Sequence, residues 1–270
     1  MKKYRILWYV MTAIYTVWML DFMRYNTYTV ANTLLEKEMY PSKLIYYVWV
    51  IVSVSIFFIY PEFIQRIYYA KKLTKANKIF NIITLVIGCV YITAYGFLKN
   101  PLEYTASMMG LFYPWLFKLW CVFSGISIFT NTLYMYRKNS YENTAGIFCA
   151  SIGCAALFVT VNVPSAGEDL VMTLQCLSHW STALIFAVLG AAGIVIFLVH
   201  KCMEKDKRYI SLTVAFVGVL ALMLVLLVTV GKNGLIENLP MWAAYIVLFL
   251  INFTALFDAE KGKMYIKTKA

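Results

Sequence analysis

Residues 210–231 read ISLTVAFVGVLALMLVLLVTVG, a stretch that contains no charged side chain. At about 1.5 Å per residue, a helix of this length covers the roughly 30 Å of a bilayer's hydrocarbon core. The apolar residues are continuous rather than alternating, and only helices and closed barrels pair all their backbone groups inside hydrocarbon. The stretch therefore predicts a transmembrane α-helix.

Seven further apolar stretches divide the rest of the chain. The eight predicted spans are residues 6–23, 44–60, 80–98, 111–135, 145–162, 170–199, 210–231 and 239–257. The chain is 62% hydrophobic and 14% charged, and eight spans in 270 residues leave no room for a soluble domain. We expect an all-α, polytopic membrane helix bundle. Its parts are an N-terminal helix and outer loop in 1–43, a seven-helix core in 44–257 and a basic tail in 258–270.

The positive charges predict the orientation of the bundle. Of 24 Lys and Arg residues, 18 fall in segments on one side of the predicted membrane and 5 on the other, with Lys118 inside a span. Positively charged segments are retained on the cytoplasmic side. Both termini should therefore be cytoplasmic. The net charge of +11 then reflects topology and attraction to anionic lipid, and no nucleic-acid partner is expected.

The first span has two interpretations. Its basic start, with Lys2, Lys3 and Arg5, is also typical of a secretory signal peptide. However, the apolar run is long and contains Trp8 and Trp18. We interpret it as a retained anchor, with a cleaved signal as the alternative.

Polar residues inside the spans are the first candidates for a site, because they are costly in hydrocarbon. They are Asp21, Lys118, Cys121, Asn131, Gln175 and His179. Counted from the outer ends of their spans, Cys121 and His179 lie at nearly the same depth, about 14 Å. A neighbouring His is the usual group that activates a Cys thiol for nucleophilic catalysis. The pair therefore predicts a catalytic site.

Neighbouring residues fit a site at that depth. Lys118 lies three residues before Cys121 on the same helix face, and its ammonium is expected to extend to the headgroup level. There it would bind a lipid phosphate or favour the Cys121 thiolate electrostatically. Gln175 and Thr182 lie about one turn on either side of His179, where they would orient the ring or line a polar cavity. The alternative is structural, with Cys121 as a small apolar side chain and His179 as a hydrogen-bonding group between helices.

Several other chemistries lack the residues that they require. A haem held by two His residues needs both at one level on facing helices, whereas His179 and His200 lie about 31 Å apart on one predicted helix. The last two spans contain no Lys for a retinal Schiff base, and the Cys residues show no metal-ligand spacing. We expect no metal site and no soluble cofactor.

From the fourth span onward, the chain resembles the YwaF-type bacterial membrane proteins and their animal relative, transmembrane protein 164. The residues that carry the resemblance are WLFKLWC at 115–121, YEN at 141–143, NVP at 162–164 and QCLSHW at 175–180. The resemblance covers about residues 44–200. It implies a seven-helix core, to which the helix at 6–23 is an addition, and a place in a cell membrane, here the bacterial cytoplasmic membrane.

The resemblance also implies an activity, since the animal protein is an acyltransferase that remodels phospholipids through a Cys and a His on separate helices. Cys121 would be the nucleophile and His179 the base, with Lys118 and Gln175 binding substrate. The partners would be a membrane phospholipid and a lysolipid. Two alternatives remain: a lipid ester hydrolase of the same fold, in which water is the acceptor, and a non-enzymatic lipid-binding, transport or assembly protein.

The predicted topology is testable by cysteine accessibility in a variant that lacks all native Cys residues. A Cys placed at Ser140 should stay unlabelled when an impermeant thiol reagent is added to intact cells, because the Lys/Arg distribution places that loop in the cytoplasm. Labelling of this Cys from outside would contradict the topology.

Overall fold

In the computed structural model, which describes residues 2–25, 51, 55, 73–163 and 174–257, the chain is all-α and contains no strand. The α-helices are α1 (Lys2–Tyr25), α2 (Lys75–Gly96), α3 (Ala106–Phe112), α4 (Pro114–Lys138), α5 (Thr144–Asn162), α6 (Leu174–Met203), α7 (Lys207–Thr229) and α8 (Gly234–Phe253). A short 3-10 helix, Ala255–Phe257, follows α8.

Six helices in the described residues are long and apolar enough to cross a membrane, namely α2 and α4–α8. Each coincides with one predicted span, and the membrane helix bundle is confirmed at this level. Helix α1 covers the predicted span at 6–23. The predicted span at 44–60 lies outside the described residues apart from Ile51 and Ser55, as do the tail at 258–270 and the Asp21 side chain. The total of eight spans stays a prediction.

The loops predicted on opposite sides of the membrane gather at opposite ends of the bundle. At one end, the Gly234 amide donates to the Pro101 carbonyl at 2.8 Å, which joins two predicted outer segments. At the other end, the Lys138 ammonium donates to the Asn252 carbonyl at 3.1 Å, which joins two predicted inner regions. Both contacts agree with the predicted sides of the segments that they join, and the full topology stays a prediction.

The predicted start of the fourth span is wrong. In place of one helix from residue 111, α3 and α4 are separate elements that meet at Tyr113. Thr105 begins α3, its hydroxyl accepting from the Met108 amide at 3.1 Å. Pro114 begins α4, because proline lacks an N–H, suits the first position of a helix and disfavours a helical conformation in the preceding residue.

Most other helix starts also carry a capping side chain. Asn143, Asp206 and Asn233 accept from backbone amides of α5, α7 and α8, and Thr74 forms a capping box at the start of α2. Hydrogen bonds from Arg208 lower the pKa of the Asp206 carboxyl, which keeps this cap ionised. The polar residues between apolar runs thus define where these four membrane helices begin.

Helix α4 forms the centre of the bundle and packs against α2, α3, α5 and α8, whereas α7 lies at the periphery with mostly exposed apolar side chains. Asn131 of α4 is fully buried. Its amide donates to the Asn81 carbonyl of α2 at 3.2 Å, and the Asn252 amide of α8 donates to the Asn131 carbonyl at 3.0 Å. This predicted site candidate therefore joins three helices, a usual role for Asn in a membrane bundle.

Helices α5 and α6 approach each other through small residues. A Cβ atom on Gly153 would lie 2.9 Å from the backbone nitrogen of Gly190, and one on Gly193 would lie 3.2 Å from the Ala150 Cβ. Glycine and alanine permit such close backbone contact between membrane helices. The contact holds α6, which carries His179, directly against α5.

Substitution of Gly153 by Ala should destabilise the bundle, because the new methyl group meets backbone that cannot rotate away. Overpacking of this kind costs about 1–3 kcal/mol, and we expect a lower thermal unfolding temperature in detergent. Gly218→Ala in α7 is the matched control, since nothing lies within 4 Å of its Cβ position. Equal unfolding temperatures for the two variants would contradict the close contact.

Candidate functional site

His179 is a buried histidine whose two ring nitrogens both have partners. Its Nδ1 lies 2.7 Å from the Val163 carbonyl oxygen and 3.0 Å from the Thr160 carbonyl oxygen. Carbonyl oxygens only accept hydrogen bonds, so Nδ1 must carry the proton and donate to them. In the neutral ring, Nε2 is then left as an acceptor.

The end of α5 explains why these two carbonyls are available. In a continuing helix, the Thr160 carbonyl would accept from the amide of residue 164. Residue 164 is Pro, which has no N–H, and the helix ends at Asn162. The Thr160 carbonyl accepts a 3.3 Å bond from the Val163 amide, and the imidazole of the neighbouring helix supplies a second, shorter one to it as well as an N–H for the Val163 carbonyl.

Ser107 of α3 occupies the other side of the ring. Its hydroxyl donates to His179 Nε2 across an Oγ–Nε2 distance of 3.0 Å. Ser107 is 9% exposed and His179 1% exposed, so the pair is almost fully enclosed. A hydroxyl, an imidazole acceptor and carbonyls that fix the ring together make the arrangement of a nucleophile, a base and an orienting group.

Two other helices fix the position of Ser107 through the residue before it. The Ala106 amide donates to Glu237 Oε2 of α8 at 2.8 Å. The Tyr95 hydroxyl of α2 donates to the Ala106 carbonyl at 2.9 Å. The second oxygen of Glu237 lies 3.1 Å from Lys232 Nζ. The first turn of α3 is therefore attached to α2 and α8, whereas His179 is attached to α5.

A positive charge lies at the rim of this site. Lys232 Nζ is 5.3 Å from the centre of the Trp180 ring, next to His179 in the chain, and Lys232 is near enough to act electrostatically on the imidazole. Lys232 and Trp180 are both partly exposed. The rim thus presents a cation and an aromatic ring at the end of the bundle where the predicted outer loops meet.

Cys121 lies on α4 and is fully buried. Its thiol is close enough to Lys118 and Cys154 for electrostatic interaction. Within the described part of the chain, it makes no hydrogen bond to His179. Cys121 is seven residues into α4, about 10 Å, which is shallower than expected. Direct pairing of Cys121 with His179 stays a prediction.

Lys118 differs from its expected position at the headgroup level. The side chain is 1% exposed, and its Nζ lies 5.1 Å from the centre of the Trp115 ring. A cation over an aromatic face is favourable, and more so away from water. Gln175 lies in the first turn of α6, with its side chain outside the described residues. Lipid binding by either residue stays a prediction.

Sequence reasoning missed Ser107 and the two carbonyl acceptors of His179. Thr182 was expected to orient the ring, but its hydroxyl contacts the Thr160 hydroxyl at 3.0 Å. Pro164, which follows the end of α5, would have indicated the carbonyl acceptors. The Thr105 cap, which begins α3, would have indicated the helix that carries Ser107. Both signals identify helix ends, and the site is built at helix ends.

No protein-family model, curated protein or solved structure matches the chain. Among the described residues, no group of three or more His, Cys, Asp and Glu side chains is arranged to hold a metal ion.

The proton position on His179 can be measured by nitrogen NMR. The chain contains two His residues, so His200→Gln leaves His179 as the single source of imidazole signals. We expect the neutral ring to be protonated at Nδ1, and Ser107→Ala to shift the Nε2 resonance more than the Nδ1 resonance. A neutral ring protonated at Nε2 would contradict the hydrogen bonds described above.

Proposed function

We propose that this protein is an integral membrane acyltransferase, in which a fatty acyl group moves between lipids with His179 as the general base. The observation that carries the proposal is the state of the imidazole: Nδ1 is committed to two carbonyls, and Nε2 faces a hydroxyl. A base needs an unprotonated nitrogen directed at the group that it deprotonates, within about 2.6–3.2 Å.

The position of the site favours a lipid ester as substrate. His179 lies near the ends of α5 and α6, where a membrane helix passes from hydrocarbon to the interfacial layer. The ester groups of phospholipids occupy that layer, and Lys232 at the rim suits a phosphate headgroup. We infer a glycerophospholipid donor and a lysolipid acceptor; water as acceptor would make the same site a hydrolase.

The resemblance of residues 44–200 to the YwaF and transmembrane protein 164 family supports the same reaction class. In the reaction that this resemblance implies, Cys121 carries the acyl group as a thioester. We propose that Lys118 and Gln175 bind the lipid. His179 takes the nucleophile's proton, gives it to the departing lysolipid and then activates the acceptor. The proposed location is the bacterial cytoplasmic membrane.

Replacement of His179 by Gln should reduce acyl transfer by roughly 10²–10⁴-fold, because the variant has no base at this position. The assay follows labelled acyl chains from phospholipid to lysolipid in vesicles that contain the purified protein. His200→Gln is the matched control, since His200 lies at the other end of α6 beside Glu204 and should leave transfer unchanged. Equal activity of the His179 variant and the wild type would contradict the proposal.

A further inference from the structure

We propose that Ser107 is the nucleophile of this site and carries the acyl group as an oxygen ester. This inference rests on the proposed acyl transfer and assigns the covalent step to a residue that the sequence did not single out. Within the described residues, Ser107 provides the side-chain group that donates to His179 Nε2.

Geometry favours the hydroxyl over the thiol of Cys121. The Ser107 hydroxyl already points its proton at the base across 3.0 Å. Cys121, in contrast, lies among Lys118 and Cys154 and forms no hydrogen bond to His179 in the described part of the chain. Ser107 is also 9% exposed, whereas Cys121 is fully buried.

The hydroxyl and the base are held by independent parts of the fold. Ser107 follows Ala106, whose amide and carbonyl are bound to Glu237 and Tyr95. His179 is bound to the end of α5. Neither group needs the other to hold its place, so their 3.0 Å approach is set by the surrounding helices. Such positioning before the substrate arrives is what a nucleophile and a base require.

The reaction balances with these two residues and two lipids. Ser107 Oγ attacks the carbonyl carbon of the donor ester while its proton moves to His179 Nε2. The bond between that carbon and the glycerol oxygen breaks, and His179 returns the proton to the leaving lysolipid oxygen. The acceptor hydroxyl then attacks the Ser107 ester, gives its proton to His179, and Ser107 Oγ recovers a proton from Nε2 as it leaves.

A covalent probe separates this role from a packing role. The full-length protein in detergent is treated with a fluorophosphonate, which reacts with activated serines, and the labelled peptide is identified by mass spectrometry. The variants are Ser107→Ala, Ser107→Cys, Cys121→Ala and Ser181→Ala. Ser181 is the matched control, because it lies two residues from His179 in the chain. Its exposed hydroxyl donates to the Ser178 carbonyl. Acyl transfer is measured on the same preparations.

We expect the fluorophosphonate label on Ser107 in the wild type, in Cys121→Ala and in Ser181→Ala. The Ser107→Ala variant should lose both the label and acyl transfer. Ser107→Cys keeps the size and the hydrogen-bonding position of the side chain. Incubated with labelled phospholipid, it should form an acyl adduct that neutral hydroxylamine cleaves, whereas the adduct of the wild type should resist that reagent.

Each other result overturns the inference. Undiminished transfer in a folded Ser107→Ala protein, or an acyl thioester on Cys121 in the wild type, removes Ser107 as the nucleophile while the proposed acyl transfer stands. A folded wild type with neither label nor transfer, across phospholipid donors of different headgroups, removes both the inference and the proposed function.

Discussion

The fold and the candidate site depend on one constraint: inside hydrocarbon, every backbone N–H and C=O must find its partner within the protein. Long helices satisfy the constraint along their length but leave carbonyls without partners in the last turn. At the end of α5 the deficit is greater, because Pro164 contributes no N–H. The imidazole of His179 donates to the carbonyls of Thr160 and Val163, the first of which also accepts from the Val163 amide. The pairing also fixes the ring, so that its second nitrogen is an acceptor.

The same constraint explains why the site lies among helix ends and not at the middle of the bundle. In the middle, Asn131 and its neighbours hydrogen-bond to one another across three helices, which joins those helices. At the ends, a short element such as α3 can be inserted, since its first amides can be bound by side chains of other helices. Glu237 accepts from the Ala106 amide, Tyr95 donates to the Ala106 carbonyl, and the Ser107 hydroxyl thereby reaches the buried imidazole of His179.

Much of the fold followed from the sequence because apolar runs report membrane helices directly. His179 was also predictable as a site residue, since a buried His in a span is rare and costly. Its hydrogen-bond partner Ser107 was not predictable, for two reasons. Ser107 lies in a one-to-two-turn helix that was assigned to a loop, and Ser is too common to attract notice alone. Moreover, hydropathy gives the depth of a residue but not which helix faces it, and the pairing of Cys121 with His179, which was inferred from depth, stays a prediction. Lys118 was placed at the headgroups because lysines near span ends usually reach water, whereas Trp115 and the surrounding helices enclose it here.

The glycine contact between α5 and α6 has a consequence for how the two sides of the candidate site are held. These helices touch backbone to backbone at Gly153 and Gly190, and the same pair of helices carries His179 and its carbonyl acceptors. The opposite wall is α3, attached to α2 and α8 through the side chains of Tyr95 and Glu237. Side-chain links rotate and exchange with water far more easily than packed backbones separate. The α3 wall is therefore held less rigidly than the α5–α6 wall, and the Glu237 carboxylate, shared between Lys232 and the Ala106 amide, is one of the two side chains that attach it.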